Sequence, residues 1–220
     1  MENKKCFILC GGDCTIDERL KNKVKACLSS PGENLIIAAD SGFKYLEMFQ
    51  LEPDICIGDF DSVSIADRKK IERSKAQVIK LPKEKDETDT LAAIMEGLEQ
   101  GCQTFYLIGA LGGLLDHTIA NLQSLLYLKE QGADGFILDR GQTIMLLKDE
   151  CIYLPEKEKG RISIFAFGGQ AEGVTIEGLE YEIENETLSP VYPIGVSNSF
   201  VGEDVCIKVE DGCLLVVMES

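Results

Sequence analysis

Tryptophan is absent from this chain and histidine occurs once, at His117. A single histidine cannot furnish a histidine-based zinc cage, and without a supporting motif it gives no basis for a Ser-His-Asp or Cys-His arrangement. No run of 18 or more apolar residues occurs, so no membrane-spanning helix and no membrane partner is expected. The apolar stretch in MENKKCFILCGG is too short for a signal peptide and runs into Gly-Gly-Asp rather than a cleavage site, which places the protein in the cytoplasm. CxxC is missing as well. The nine cysteines are odd in number and fall mostly within apolar runs such as CFILC, DICIG and DVCIKV, so they read as reduced, buried small hydrophobes. Cys6, Cys10 and Cys14 are evenly spaced but lack the further ligands that structural zinc needs. Basic residues are the scarce charge: 22 Lys and Arg stand against 38 Asp and Glu, a net charge of −16. That balance argues against nucleic acid, whose affinity comes from neutralising phosphates with cations. Neither GxxxxGK[ST] nor GxGxxG is present, so a bound nucleotide needs another scheme. An acidic protein that takes one must bring cations, and clustered carboxylates recruit magnesium.

With 45% hydrophobic residues and few prolines, 220 residues suffice for one large domain or two smaller ones. Up to about residue 133, short apolar runs alternate with helix-patterned stretches: KKCFILC then 16–28, NLIIAAD then 42–50, DICIG then 64–75, QVIKL then 88–100, TFYLIGA then 116–131. This alternation predicts a doubly wound, mostly parallel sheet with helices on its faces, its strands apolar on both sides. Leu91, Met95 and Leu98 recur at helical spacing ahead of a C-cap glycine, Gly101, and Ile119, Leu122, Leu125 and Leu126 mark a second amphipathic helix. From 134 onward GFILD, TIMLL, CIYLP, RISIFAF, GVTIEGLEYEI, VCIKV and GCLLVVM are β-rich with no helical period. The expected division is 1–133 α/β and 134–220 an antiparallel β-sandwich.

In open parallel sheets ligands bind beyond the carboxyl ends of the strands. Those positions are acidic here. Asp40-Ser41-Gly42 follows NLIIAA, and Asp59 and Asp61 follow DICIG. Lys85, Asp86, Thr88 and Asp89 follow QVIKL, while Gly112, Gly113, Asp116 and His117 follow TFYLIGA. Each loop alone is ordinary turn and cap chemistry. As a set gathered on one sheet edge they are not, because two carboxylates about 5 Å apart repel by roughly 3 kcal/mol at an effective dielectric near 20. Asp59 and Asp61 share a face if their segment is extended. Asp86 and Asp89 lie together if a helix starts there. Hard oxygen donors without a cysteine or histidine cluster suit magnesium completed by phosphate oxygens, and glycines 109, 112 and 113 let backbone approach a phosphate. A metal-dependent phosphotransferase of the DxD kind and a non-catalytic nucleotide binder both remain open on these residues.

Taken together, AADSG (38–42), PDICIGDFDS (53–62), LPKEKDETDTLAA (81–93), LGGLLDH (111–117) and GVSNSF (195–200) resemble the thiamine pyrophosphokinase (thiamin diphosphokinase) family of the bacterial type. The resemblance implies an α/β domain for ATP and Mg2+, a β-sandwich for thiamine, and a homodimer with active sites between subunits. It implies transfer of pyrophosphate from ATP to the thiamine hydroxyl, giving thiamine diphosphate and AMP. By motif it makes Asp59, Asp61 and Asp89 the metal and phosphate ligands, with Asp116 as a further catalytic residue. Asp40, Ser41, Gly42, Lys85, Asp86, Thr88, Gly112, Gly113 and His117 fall on the ATP side. Asp116, Ser197, Asn198 and Ser199 fall on the thiamine side. Two departures stand out. Leu114 occupies the place of an arginine usual after the paired glycines, and VYPI precedes GVSN where a small polar run is usual. With no tryptophan to stack on a pyrimidine, Tyr192 or Phe200 is the candidate face. A thiamine- or nucleotide-binding protein without turnover is the alternative within the same resemblance.

Overall fold

A computed structural model describes residues 4–139 and 141–219, in two compact units, Met1–Arg140 and Gly141–Ser220. In the first unit the strands are β1 (Lys5–Leu9), β2 (Asn34–Ala39), β3 (Ile55–Gly58), β4 (Gln77–Lys80), β5 (Thr104–Ile108) and β6 (Asp134–Asp139). The helices are α1 (Glu18–Ser29), a short α2 (Leu46–Phe49), α3 (Ile65–Arg73), α4 (Asp89–Glu99) and α5 (Leu115–Glu130). The strands lie in the order β6-β5-β1-β2-β3-β4 and every pair is parallel. The chain therefore runs outward from β1 to β4, then returns to the other side of β1 for β5 and β6. With right-handed crossovers this reversal puts helices on opposite faces and opens a crevice between β1 and β5.

The side chains record both faces. Phe7, Leu9, Ile36, Ala38 and Cys56 cluster with Leu20 and Val24 of α1 and Ile71 of α3. The register Phe7↔Tyr106↔Phe136 stacks three rings across β1, β5 and β6, with centroids 4.8 and 5.5 Å apart. On the other face, a Cβ on Gly97 of α4 would come within 2.6 Å of the Phe105 ring, and one on Gly135 of β6 within 2.8 Å of Leu125 and Leu128 of α5. Each fully buried Leu, Ile or Phe here contributes about 1.5–3 kcal/mol.

Three expectations are revised. GFILD is not the first strand of the β-domain but the sixth parallel strand, paired with β5 from Thr104↔Asp134 to Ile108↔Leu138. The first unit accordingly extends to 140 rather than 133, because an apolar strand with helix α5 over it completes the sheet. The helix expected over 42–50 is a 3-10 turn, Asp40–Tyr45, leading into α2. The buried stripes also differ: α4 buries Thr90, Ala93, Ile94 and Gly97, and α5 buries Asn121, Ser124, Leu125 and Leu128. Met95 and Ile119 face outward. Large side chains pack where the facing residue is small, as Leu125 and Leu128 do on Gly135, and Gly97 of α4 makes room for Phe105.

The second unit contains β7 (Gln142–Lys148), β8 (Cys151–Leu154), β9 (Arg161–Ala166), β10 (Ala171–Glu177), β11 (Ile183–Leu188), β12 (Asn198–Ser199), β13 (Val205–Lys208) and β14 (Cys213–Glu219). They form two antiparallel sheets, β12-β9-β14-β7 and β11-β10-β13-β8. Ile162, Ile164, Val174, Ile176, Val205 and Ile207 alternate inward from their strands, the period-two pattern of a sandwich. The α/β-then-β fold class expected from sequence is thus what the chain adopts.

Candidate active site

A cleft of about 260 Å³ lies in the first unit where the strand order reverses. Its walls come from the ends of β1 (Cys10, Gly11, Gly12), β2 (Ala39, Asp40, Ser41) and β5 (Ala110, Gly112), with Ser62, the first residues of α4 (Thr88, Asp89, Thr90), and Leu114, His117 and Asn121. Two glycine turns set its floor. A Cβ on Gly12 would lie 2.6 Å from the Gly109 carbonyl oxygen, and one on Gly112 would lie 2.4 Å from that of Asp13. Gly12 N–H donates to Gly109 O at 3.0 Å, so the two loops are stitched together. Tyr45, buried, clamps the same loop: its hydroxyl donates to the Gly12 carbonyl and accepts the Cys14 N–H at 2.9 Å. Asn121 reaches up from α5 to donate to the Ala110 carbonyl at 2.6 Å.

Asp40 is the distinctive group of the cleft. It sits at φ 46°, a left-handed conformation uncommon outside glycine, and Gly58 packs beneath it, where a Cβ would meet the Asp40 backbone at 3.1 Å. The side chain is 9% exposed, yet its Oδ1 is buried without a hydrogen-bond partner. Burial pushes its carboxyl above the ordinary range. The Ser41 amide and Ser62 hydroxyl pull it down, and the charges of Asp89 and Asp59 push it up. A buried acceptor left unmatched costs about 1–3 kcal/mol.

The other carboxylates are placed differently from expectation. Asp59 and Asp61 do not share a face of an extended segment: Phe60 between them is left-handed at φ 60°, and the Asp61 N–H bonds Asp59 Oδ1 at 2.9 Å in an Asx turn. Asp61 is exposed and its carboxylate meets Lys83 Nζ at 2.8 Å; that hydrogen bond and charge hold its pKa below the ordinary value. Nor do Asp86 and Asp89 share a helix. α4 begins at Asp89 with Thr88 as its N-cap, the Thr88 Oγ1 accepting Leu91 N–H at 3.1 Å, and Asp86 lies exposed in the loop before it. Asp89 instead meets Lys85 Nζ at 2.6 Å in a partly buried pair.

The remaining residues divide between the units. Asp40, Ser41, Thr88, Asp89, Gly112 and His117 line the one cleft. Gly42 is buried beneath it, where a Cβ would collide with the Leu9 carbonyl at 1.9 Å; its role is packing. Gly113 and Asp116 are exposed beside it, Asp116 Oδ1 accepting the His117 N–H at 2.8 Å. In the second unit Ser197 is exposed, its N–H on Ser163 Oγ at 3.0 Å. Asn198 is buried, and its amide is spent on the Tyr181 backbone and the Ser199 N–H, so it shapes this loop. Ser199 is half-buried. Phe200 is buried and carries Lys157 over its ring at 5.1 Å, which rules it out as an open stacking face, whereas Tyr192 is 73% exposed.

Sequence reasoning missed Gly11, Gly12, Ser62 and Asn121 as cleft residues. The glycine pair directly after β1 was the available signal, since β1 borders the reversal point. It also missed Lys44, whose Nζ donates to the Gly11 carbonyl at 3.2 Å and lies over the Tyr45 ring. No lysine or arginine lines the cleft among the described residues; Lys85 reaches Asp89 and Lys44 reaches Gly11 in its wall, while Lys83 and Arg68 both reach Asp61. Cys10 lines the cleft, but burial pushes its thiol up to about 12, so it stays protonated at neutral pH.

Comparison with known proteins gives these features a family. The model for the catalytic domain of thiamin pyrophosphokinase matches residues 30–137, and that for the thiamin pyrophosphokinase vitamin B1 binding domain matches 150–214. A thiamine pyrophosphokinase of Bacillus subtilis is 24% identical over 187 residues, covering 84% of this chain and 87% of its own. Thiamin pyrophosphokinase 1 of Caenorhabditis elegans is 29% identical over 205 residues, covering 87% and 78%. The crystal structure of thiamine pyrophosphokinase from Bacillus subtilis shares the fold with a TM-score of 0.85 at 22% identity, over 99% of both chains. With both domain models matching in order, and the cleft walls from Ala39 to Asn121 lying within the first of them, the chain belongs to the thiamin pyrophosphokinase family.

Proposed function

We propose that this protein transfers the pyrophosphoryl group of ATP to the hydroxyl of thiamine, yielding thiamine diphosphate and AMP. The observation that carries the reading is the unmatched, buried Asp40 oxygen in the cleft at the strand-order reversal, with Asp89 on the same wall and the charge of Asp59 acting on it. Magnesium suits this donor set, which is oxygen throughout. Among the described residues no three Asp, Glu, His or Cys side chains close into a cage of their own, in keeping with an ion that binds through few carboxylates and takes other oxygens from substrate. Asp40 and Asp89, both at the cleft, would hold it, with Asp59 and Asp61 adjoining. When bound it supplies charge neutralisation for the transferring phosphates.

The chain's own groups do the positioning. Ser41, Ser62 and Thr88 offer hydroxyls at the wall of the cleft, and the glycine turns admit phosphate close to backbone. Lys83 and Lys85 sit on Asp61 and Asp89, ready to exchange a carboxylate for a phosphate oxygen. Leu114, 65% exposed at the cleft, brings no charge, and Lys44 at Gly11 is the closest replacement. His117, on the wall, and Asp86, in the loop before α4, complete the ATP side. Asp116, Ser197 and Ser199 are assigned to thiamine, with Asn198 holding their loop in place and Tyr192 as the stacking face.

We further infer a cytoplasmic homodimer. Among the described residues no helix is long and apolar enough to cross a membrane. Leu115 and Ile119 on α5 and Val191, Tyr192 and Ile194 in the second unit are exposed, more apolar surface than a solvated face needs, and a second copy would cover it.

The assay incubates purified protein with ATP, magnesium and thiamine and follows both products. AMP and thiamine diphosphate are expected in equal amounts, with loss of turnover on chelation by EDTA and recovery on adding magnesium. ADP as product would contradict the reading, and thiamine binding without AMP release would return the chain to a non-catalytic binder.

A further inference from the structure

The sheet β11-β10-β13-β8 carries two thiols that the transfer reaction does not use. β8 and β13 pair antiparallel with Cys151 opposite Lys208 and Tyr153 opposite Cys206, so these four side chains stand on one face. It is the outer face. Val205 and Ile207 between them are buried, while Cys151 and Tyr153 are exposed and Cys206 is half-buried. Although 55 residues apart in sequence, the two sulfurs lie 3.3 Å from one another. The expectation that the cysteines are buried hydrophobes holds for Cys6, Cys10, Cys56, Cys102 and Cys213, but not for this pair.

We propose that Cys151 and Cys206 are a reversible dithiol–disulfide site, oxidised by small disulfides of the glutathione class. The Cys151 thiolate attacks one sulfur of the small disulfide, whose S–S bond breaks, and the departing thiolate takes up the proton that Cys151 lost. Cys206, deprotonated in turn, attacks the Cys151 sulfur and expels the second small thiolate, which is protonated likewise. Two protein thiols thus lose two electrons and two protons, and one small disulfide becomes two thiols.

Geometry assigns the order. Cys151 is exposed on a strand at the edge of its sheet, so an incoming disulfide reaches it first. Burial, with Cys151 beside it, pushes the Cys206 thiol up, which suits a second, intramolecular attack rather than the first. The two cysteines are diagonal rather than directly opposed in the register, so closing 3.3 Å to a bond of about 2.05 Å draws on the give of the edge strand as well as on side-chain rotation.

The test treats the full-length protein with oxidised glutathione, alkylates the remaining thiols and maps peptides by mass spectrometry. The expected product is a cross-link between the peptides holding Cys151 and Cys206, released by dithiothreitol. Cys206→Ser should instead accumulate a glutathione adduct on Cys151 at least about ten-fold above wild type, because the intramolecular step is gone. Cys151→Ser should accumulate neither product on this strand pair. Circular dichroism checks that both variants are folded. A wild-type protein that keeps a stable adduct on Cys151 without the cross-link, one that cross-links other cysteines, or one that does not react overturns the proposal.

Discussion

Asp40 shows at the scale of one residue how function and stability oppose each other. Its carboxyl is raised by burial and by neighbouring acids, so in the folded protein it holds its proton to higher pH than in the unfolded chain. Stability from this group is therefore fully present below the ordinary carboxylate range and is lost as pH rises through the raised value. Asp40→Asn removes the ionisation while suiting the left-handed backbone, which Asn tolerates. Without metal, the variant should melt about 2–4 °C above wild type at neutral pH, for a relief of about 1 kcal/mol, and the gap should vanish in acid. Turnover should fall at least about a hundred-fold, since an aimed electrostatic group is typically worth that much. A thermal melt across pH, beside the AMP assay, reads both effects. Asp40 was visible in the sequence as one acidic loop residue among many. Its special status was not, because the unmatched oxygen exists only once Gly58, Ser62 and Asp89 surround it.

At the scale of elements, the site is a set of loops made rigid by one another. Helices α4 and α5 were legible: the stretches expected over 88–100 and 116–131 match them to within a residue at each end. The way loops close was not legible, since Tyr45 clamps residues more than thirty positions away through a single hydroxyl. Tyr45→Phe keeps the ring and its packing but leaves the Gly12 carbonyl and Cys14 amide without it. The variant should lose about 1–2 kcal/mol of stability. Because the loop lines the cleft, KM for ATP should rise severalfold with kcat changed less. Steady-state kinetics with chemical denaturation separates the two. The helix stripes teach the same lesson: Leu91, Met95 and Leu98 gave the period of α4 correctly, yet the buried side is Thr90, Ala93, Ile94 and Gly97. Periodicity fixes that a helix has an apolar stripe, whereas the bulk of Phe105 decides that the position facing it is Gly97.

For the whole molecule, the outward apolar residues of α5 and of the 191–194 loop set an expectation for assembly. Light scattering should give about twice the 24.2 kDa chain mass, and Ile119→Lys should shift the protein toward monomer if α5 lies in the shared surface. A wild-type monomer at micromolar concentration would remove the dimer. By itself the sequence determined the strand and helix alternation, the change to antiparallel strands and the acidic character of the strand ends, because these rest on local patterning and composition. Its ordered motifs also determined the family. Only the tertiary structure decided that GFILD completes the parallel sheet, that Asp61 and Asp89 carry lysines, that Asp40 keeps a buried oxygen unmatched, and that Cys151 meets Cys206. Each of those depends on residues brought together from distant parts of the chain, and strand order, loop closure and burial are set by global packing that no local window contains.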